Sequence, residues 1–401
     1  MEEKNELIND HKVIGRELGL FSFDENVPGV IYWWPKGYTF YNLIVDDLKK
    51  YLALDGYREI KTSVVISTET LKKSGHFDKF HDGLFFVGNE KELIKPKWCL
   101  KPMSCPGSLM IFNEQIHSYK ELPIKFSEFG SVFRYEQAGE VNGLLRARNF
   151  TQDDAHIYCV DDQIEAEIVK LIDFIFATYK RYGFNETRVE LSTRPDKSIG
   201  SDEQWEKAEG GLKRALDSQK VEFKINKGDG AFYGPKIDFH IKDSLGRSWQ
   251  LGTIQLDFAM AERLDANYID KDGEKKHPVM IHRAILGSVE RFVAILLEHT
   301  GGALPNWLSP VQAIILPIAD RHVDYAGEIR KELQESGIRV ELDGRVESIG
   351  KKIRDAEMQK IPYMIIIGDK EIEAKKISVR KYGEGDQGQI ETDKLIKEIN
   401  G

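Results

Sequence analysis

Between Tyr41 and Leu54 apolar side chains fall at Leu43, Ile44, Leu48, Tyr51 and Leu52, a spacing that gathers them on one stripe of a helix. From 57 to 66 the period drops to two, as in a strand with one buried face. Similar strand patterns cover 84–87, 125–135, 146–158, 188–192, 223–227, 236–242 and 248–258, and helical ones cover 163–182 and 202–218. Ahead of them, residues 1–20 read as an amphipathic helix. A turn at Asn26, Val27, Pro28 and Gly29 follows, then an aromatic strand at 30–34 that Pro35, Lys36 and Gly37 close. Many strands at hairpin spacing with few helices between them predict an antiparallel sheet flanked by helices rather than a doubly wound parallel one.

The pattern changes at 305–310, where Asn306 to Ser309 sit between Pro305 and Pro310. Beyond it come a strand at 311–317, a helix at 323–335, a strand at 339–342, a helix at 349–360, strands at 363–368 and 376–380, and a terminal helix from Thr392. This alternation predicts a separate α/β domain, and the chain divides into 1–306 and 307–401.

Composition bounds the picture. A chain of 401 residues at 41% hydrophobic is long enough for two cores. It contains no apolar run of about 18 residues. The acidic, polar start MEEKNELIND also lacks the basic opening and apolar stretch of a secretory signal, so a cytoplasmic protein without a membrane partner is expected. Cys99, Cys105 and Cys159 are too few for a disulfide framework, which favours metal ligation or burial over crosslinking. The formal net charge of -9 argues against indiscriminate binding to nucleic acid, which depends on clustered Lys and Arg. An RNA held through local patches remains compatible with it.

The densest chemistry lies in residues 133–159, FRYEQAGEVNGLLRARNFTQDDAHIYC, where Arg134, Arg146 and Arg148 offer charge to a polyphosphate. Arg291 follows Gly287 and Ser288 on a segment whose Val289, Phe292, Val293, Leu296 and Leu297 mark a helix with one buried face. Glu136 and Gln152 stand near the first group. Three soft ligands, Cys105, His156 and His282, are too far apart in sequence for a zinc finger. Three ligands drawn from distant segments would leave one coordination position open, as catalytic zinc does. The alternative is a buried thiol with two core histidines bonded to backbone.

Phe133-Arg134-Tyr135-Glu136, the turn after it and Arg146 resemble motif 2 of the class II aminoacyl-tRNA synthetases, and Gly287 through Arg291 resemble their motif 3. The blocks LKPMSCPG, FTQDDAH, LSTRPDKSIGSDE, GAFYGPKIDF, LGTIQLDF and PVMIHRAILGSVERF are similar to the threonyl-tRNA synthetase family in particular, in one order from about His11 to near the C-terminus.

The resemblance implies an α+β class II synthetase antiparallel sheet flanked by helices, followed by an α/β anticodon-binding domain. It implies Zn²⁺, one per subunit, on Cys105, His156 and His282, taking the amino group and hydroxyl of L-threonine. Asp154 matches the carboxylate that receives that hydroxyl, Tyr233 matches a residue of the amino-acid pocket, and Gln255 lies beside it. Arg134, Arg146 and Arg291 match the arginines on the phosphates of ATP, which carries Mg²⁺. Glu136 and Gln250 match positions near the nucleotide, and Gln152 and Lys236 match polar groups around the reacting centre, so Arg134, Gln152, Lys236 and Arg291 are the expected catalytic residues. Arg354, Glu371 and Arg380 match anticodon-domain positions toward tRNA(Thr). A homodimer is expected, as is misactivation of serine, which lacks only a methyl, a difference worth roughly 1–3 kcal/mol. The family's N-terminal editing region has no counterpart in the chain, so no editing in cis is expected.

Three positions depart from the family pattern. Ser63 stands where motif 1 would end in proline, Asn149 replaces a glycine after the motif 2 arginines, and Val346 replaces an anticodon-reading asparagine. The last is the one feature that favours a paralogue making threonyl-adenylate for another acceptor. A silent tRNA-binding paralogue is disfavoured by the intact Arg134, Arg291 and three zinc positions.

Overall fold

The structure, a computed structural model, describes residues 10–243 and 246–401. By contact the chain forms two units. One holds the described residues up to Ser22 with Tyr32–Ile44 and Leu297–Gly401, and the other holds Phe23–Ile31 and Val45–Leu296. The sequence boundary at 306/307 and this division part company at the described residues up to Ser22, at Tyr32–Ile44 and at residues 297–306.

The helix expected at 1–20 is α1, His11–Glu17; residues 1–9 of that expectation lie outside the described residues. Asp10 caps α1 by accepting from Lys12 N, and the buried His11 Nδ1 lies 2.7 Å from Glu298 Oε1. Helix α2, Pro35–Leu54, begins at Pro35 rather than after Gly37. Proline suits a first helical turn, whose N–H groups have no intrahelical partner. Gly37 is required there, because a Cβ would lie 1.8 Å from Leu20 O.

The larger unit is built on an eight-stranded sheet. In chain order its strands are β1 (Arg58–Glu59), β2 (Ile124–Phe133), β3 (Asn149–Cys159), β4 (Thr187–Ser192), β5 (Phe223–Asn226), β6 (Lys236–Lys242), β7 (Ser248–Asp257) and β8 (Val279–Ser288). Across the sheet the order is β5-β4-β6-β7-β8-β3-β2-β1. The six central strands pair antiparallel, as expected, and the short edge strands β1 and β5 add in parallel. The strand predicted at 57–66 is instead two short strands in different sheets, β1 and Val65–Ser67, with bend and coil between them. The strand expected from 146 starts at Asn149, because Arg146 still belongs to a turn in which its N–H donates to Asn142 O.

Helices α3 (Cys105–Asn113), α4 (Ile164–Arg181), α5 (Asp202–Ser218) and α6 (Val289–Thr300) complete the framework. Both α4 and α5 pack against β7, and α4 also meets β8. Periodicity missed β8 and α3. All of β8 except Gly287 is buried, so its run VMIHRAILGS shows none of the alternation that marks a half-exposed strand. In α3 a short apolar run opens at Cys105 with a proline at the next position.

The smaller unit carries a five-stranded sheet of β9 (Ala313–Pro317), β10 (Val340–Leu342), β11 (Tyr363–Ile367), β12 (Ile377–Lys381) and β13 (Gly385–Ile390), in the order β10-β9-β11-β12-β13. The first three are mutually parallel and the last two antiparallel. Successive residues of β9 and β11 feed two cores. Ala313, Ile315, Ile365 and Ile367 pack with helices α7 (Val323–Glu335) and α9 (Thr392–Asn400), while Ile314, Leu316 and Met364 join Ala356 of α8 (Ile349–Met358). A sheet covered on both faces accounts for unbroken apolar runs in its strands. The polar strand β13 has one apolar residue in GDQGQI and was not legible from pattern.

Phe292 of α6 is fully buried, edge-on to Tyr182 at 4.8 Å and to Phe184 at 6.0 Å between ring centroids. Truncating such a side chain costs its transfer energy plus a cavity, about 3–5 kcal/mol. Phe292→Ala should lower the unfolding free energy of the larger unit by that amount in urea titrations followed by near-UV circular dichroism. A loss under about 1 kcal/mol would mean that this core collapses around the deletion.

Candidate functional site

Cys105, His156 and His282 come together, with one potential ligand atom from each lying within 4.8 Å of the others. His156 on β3 and His282 on β8 are direct register partners, their rings 5.1 Å apart and near perpendicular. Cys105 reaches them from the first residue of α3. Ser108 and Tyr158 hold that helix down through a 2.7 Å bond between hydroxyls, with Phe112 stacked on Tyr158 at 4.3 Å. Tyr158 is two residues beyond His156 and so shares its face of β3.

The donor set suits a divalent metal such as zinc. His282 Nε2 lies 3.1 Å from Asp257 Oδ2, and Asp257 is itself oriented by the N–H groups of Ala259 and Met260. A carboxylate can only accept, so Nε2 carries the proton and Nδ1 presents its lone pair. That Nδ1 is buried without a hydrogen-bond partner among the described residues, and so are His156 Nε2, Asp154 Oδ2 and Gln152 Oε1. Gln152, Asp154 and His156 alternate along β3, which turns them to one face as their spacing predicts. Buried polar atoms are nearly always bonded, so four orphans converging on one place mark a ligand position. Burial, followed by the nearby His282, holds His156 well below the usual histidine range, and burial pushes the Cys105 thiol well above its own. The His156 imidazole is therefore neutral, as ligation requires, while the thiol would shed its proton to a bound metal.

Next to this cluster a cavity of about 370 Å³ is lined by Arg134, Glu136, Arg146, Gln152, Gln250, Gln255 and Arg291, seven of the residues singled out from sequence. Arg134 Nε donates to Pro102 O at 3.2 Å, with its guanidinium between the rings of Phe80 and Phe150 at 5.3 Å from each. Arg291 Nε donates to Leu145 O at 3.0 Å. Arg146 forms a two-point pair with Glu136, Nε at 2.9 Å and Nη2 at 2.8 Å from Oε2. Tyr233 joins cavity and cluster, its hydroxyl donating to Gln255 Oε1 and its ring 4.8 Å from that of His282. Lys236 stands on β6 opposite Gln255, pinned at 2.7 Å by Asp238, a buried carboxylate that also accepts from Gln250 Nε2 and Ser192.

Sequence reasoning passed over several residues here. His76 lies with its Nε2 3.6 Å from Cys105 Sγ, and burial and then His282 lower its pKa to about 3. Lys101, Glu128 and Thr62 form a buried ion pair and hydrogen bonds beside Asp154, the register partner of Glu128. Asp257 carried a signal, as the carboxylate within the block LGTIQLDF, but its partner was invisible without the fold. Of the departures, Asn149 donates to Val132 O at 3.3 Å at the start of β3, and Ser63 is exposed.

In the smaller unit Arg354 is exposed on α8, and Arg380 on β12 has its Nη2 3.8 Å from Glu357. The Glu371 carboxylate is fully engaged, accepting from Gly368 N, Ser378 Oγ and Gln389 Nε2. Val346 is 87% exposed. No described helix is long and apolar enough to cross a membrane.

Comparison with known proteins gives this geometry relatives. Residues 89–300 match the tRNA synthetase class II core domain (G, H, P, S and T), and residues 312–401 match an anticodon binding domain. A threonine–tRNA ligase of Clostridium tetani is 49% identical over 391 residues, covering 98% of this chain and 60% of the relative. One of Clostridium novyi is 51% identical over 381 residues, covering 95% and 59%. The chain thus spans about 60% of the length of the curated relatives it matches. The crystal structure of the RNA binding domain of threonyl-tRNA synthetase from Cryptosporidium parvum Iowa II superposes with a TM-score of 0.93 at 42% identity, covering 98% of each chain.

One carboxylate beside the cavity offers a test of its electrostatics. Glu290 is buried at the start of α6 and accepts from Thr151 N at 2.8 Å, and burial raises its pKa from 4.5 to about 7. The unfolded chain then loses that proton first, so this group withdraws stability as pH rises from 4.5 to about 7. Glu290→Gln keeps an acceptor for Thr151 and abolishes the titration. The fall in Tm between about pH 5 and about pH 7 should be smaller in the variant than in the native chain, and equal falls would refute the assignment.

Proposed function

The chain belongs to the class II tRNA synthetases, in the threonyl-tRNA synthetase family, and on that premise we propose that it activates L-threonine with ATP and transfers it to the 3′ end of tRNA(Thr). The observation that carries this reading is the set of unpartnered buried atoms, Gln152 Oε1, Asp154 Oδ2, His156 Nε2 and His282 Nδ1, beside a cavity whose walls hold Arg134, Arg146 and Arg291. An amino acid and a polyphosphate have complementary needs, and the cluster and the cavity supply them.

In the first step a threonine carboxylate oxygen bonds to the α-phosphorus of ATP, and the bond to the β-phosphate bridge breaks to release pyrophosphate. A ribose hydroxyl of the tRNA then attacks the acyl carbon, and AMP leaves. Arg134, Arg146 and Arg291 hold the phosphates, whose charge Mg²⁺ shares. Gln152 and Lys236 serve the reacting carboxylate and α-phosphate. No nucleophile on the protein is needed, and catalysis is positioning with electrostatic stabilisation. Asp154 accepts from the threonine hydroxyl, while Tyr233 and Gln255 close the pocket. Cys105, His156 and His282 would hold zinc, which supplies a Lewis-acid position that only an amino acid with a hydroxyl can fill through two atoms.

We place the catalytic part at 1–306 and the anticodon-binding part at 307–401; that cut falls between the two family matches, which end at 300 and begin at 312. Arg354, Glu371 and Arg380 lie in the second part, and the enzyme is proposed to act in the cytoplasm as a homodimer.

Threonine-dependent exchange of pyrophosphate into ATP tests the first step, and charging of purified tRNA tests the second. Exchange without charging would leave adenylate formation as the activity. Valine should be rejected, whereas serine should be activated with a penalty of only about 10–200-fold in kcat/KM. Arg291→Ala should lower kcat/KM for ATP by roughly 10²–10³. Cys105→Ala should abolish stoichiometric zinc in metal analysis together with exchange; a variant that exchanged normally would remove the metal from the mechanism.

A further inference from the structure

The ladder between β3 and β8 breaks where it reaches the cavity. Pairing runs from Val279 opposite Cys159 to Ala284 opposite Asp154, and resumes only at Ser288 opposite Gln152, so β8 advances four residues while β3 advances two. On the other flank the pairing of β8 with β7 ends at Ala284 opposite Thr253. The segment after Ala284 is thus a bulge with interrupted strand partners, yet Ala284, Gly287 and Ser288 line the cavity and Arg291 follows one helical turn later. Bulges re-aim a strand at the cost of ladder bonds, and the freed N–H and C=O groups must be satisfied if buried.

Two side chains supply the missing bonds. Asp153 points away from Gln152 and Asp154, and accepts Ile285 N at 2.7 Å through Oδ2 and Leu286 N at 3.0 Å through Oδ1. From the opposite flank Tyr179 of α4 donates its hydroxyl to Ile285 O at 2.8 Å and accepts Gly252 N at 2.7 Å, standing in for the rung between β7 and β8. Both side chains are buried. Arg283 steadies Asp153, donating from Nη1 to its carbonyl at 2.7 Å. Two glycines make room. A Cβ at Gly252 would lie 2.6 Å from the Tyr179 hydroxyl, and Gly287, at φ +73°, would place one 2.9 Å from Leu251 O.

We infer that Asp153 and Tyr179 are positioning residues, a two-sided brace that fixes the bulge at Ile285 and Leu286 and through it aims Ser288 and Arg291 at the nucleotide. The inference rests on the proposed function, because it takes this cavity to hold ATP. Threonine is affected less, since Asp154 and His156 sit where β3 keeps its ladder with β2 intact.

Asp153→Asn retains one carbonyl oxygen and turns an amide N–H toward the second donor, leaving one of the Ile285 and Leu286 N–H groups unsatisfied. Tyr179→Phe removes both bonds on the other flank. In each variant the KM for ATP in threonine-dependent exchange should rise about tenfold or more, with the KM for threonine within about threefold of native. The Kd for ATP, measured by calorimetry on the same chain, should rise in parallel. A merely structural role would lower the active fraction and leave both KM values unchanged. That result, or equal rises for ATP and threonine, would overturn the inference. If Asp153→Asn does not fold, Tyr179→Phe decides alone. A native chain that binds ATP but exchanges with no amino acid would refute the proposed function while the calorimetric comparison still decides the brace. A native chain that binds no ATP would overturn both.

Discussion

The antiparallel register that sets His156 of β3 opposite His282 of β8 is the constraint from which the site follows. Because side chains alternate along a strand, that one pairing fixes which face of β3 carries Gln152 and Asp154 and which carries Asp153. A slip of one residue would move Asp154 and His156 to the opposite face of β3 and bring Asp153 to the face they now hold. The interior of the sheet prevents the slip, since every residue of β8 other than Gly287 is buried and must fit both faces.

The same sheet accepts an energetic penalty. Each buried polar atom without a partner costs about 1–3 kcal/mol, and the site concentrates four of them. Burial raises the carboxyl of Asp154 to about 6, against the lowering influence of the nearby His282 and alongside the repulsion of Glu128. Neighbouring carboxylates, by contrast, are bonded. Asp257 is satisfied by two backbone N–H groups, Asp238 by three side chains, and Glu128 by Lys101 and Thr62. Unpartnered buried atoms also occur elsewhere among the described residues, Tyr57 Oη and His117 Nδ1 included, and the site is set apart by holding them on Gln152, Asp154, His156 and His282 together.

Much of this was legible in the sequence, and the illegible parts have identifiable causes. Elements with one exposed face announced themselves, and β6, α5 and α7 begin and end where their periodicity does. Completely buried β8 lacked alternation, and β13 lacked apolar residues. Within the site, the shared face of Gln152, Asp154 and His156 follows from their spacing alone, because a period of two needs no knowledge of the fold. Joining Cys105 to His282 needed the family resemblance, since 177 residues separate them and only the fold brings them within reach. Asp153 lay within the block FTQDDAH and Tyr179 in none, and nothing in the sequence pointed to what either does. Their roles exist only relative to a break in the ladder, and neither periodicity nor composition encodes where a ladder breaks.

The state of each polar atom also separates candidates that sequence treats alike. Asp154 and Glu371 are both buried carboxylates on positions matched to the family, but Asp154 keeps Oδ2 unpartnered, whereas Glu371 spends both oxygens on Gly368, Ser378 and Gln389. A ligand reaching Glu371 would first have to break bonds that hold β12 and β13 to the short helix Asp369–Ala374. Glu371 thus orients backbone and side chains around it, while Asp154 keeps an oxygen open to a ligand. The difference lies in what surrounds the carboxylate rather than in the residue, which is why a residue-by-residue match can carry a position forward without carrying its chemistry.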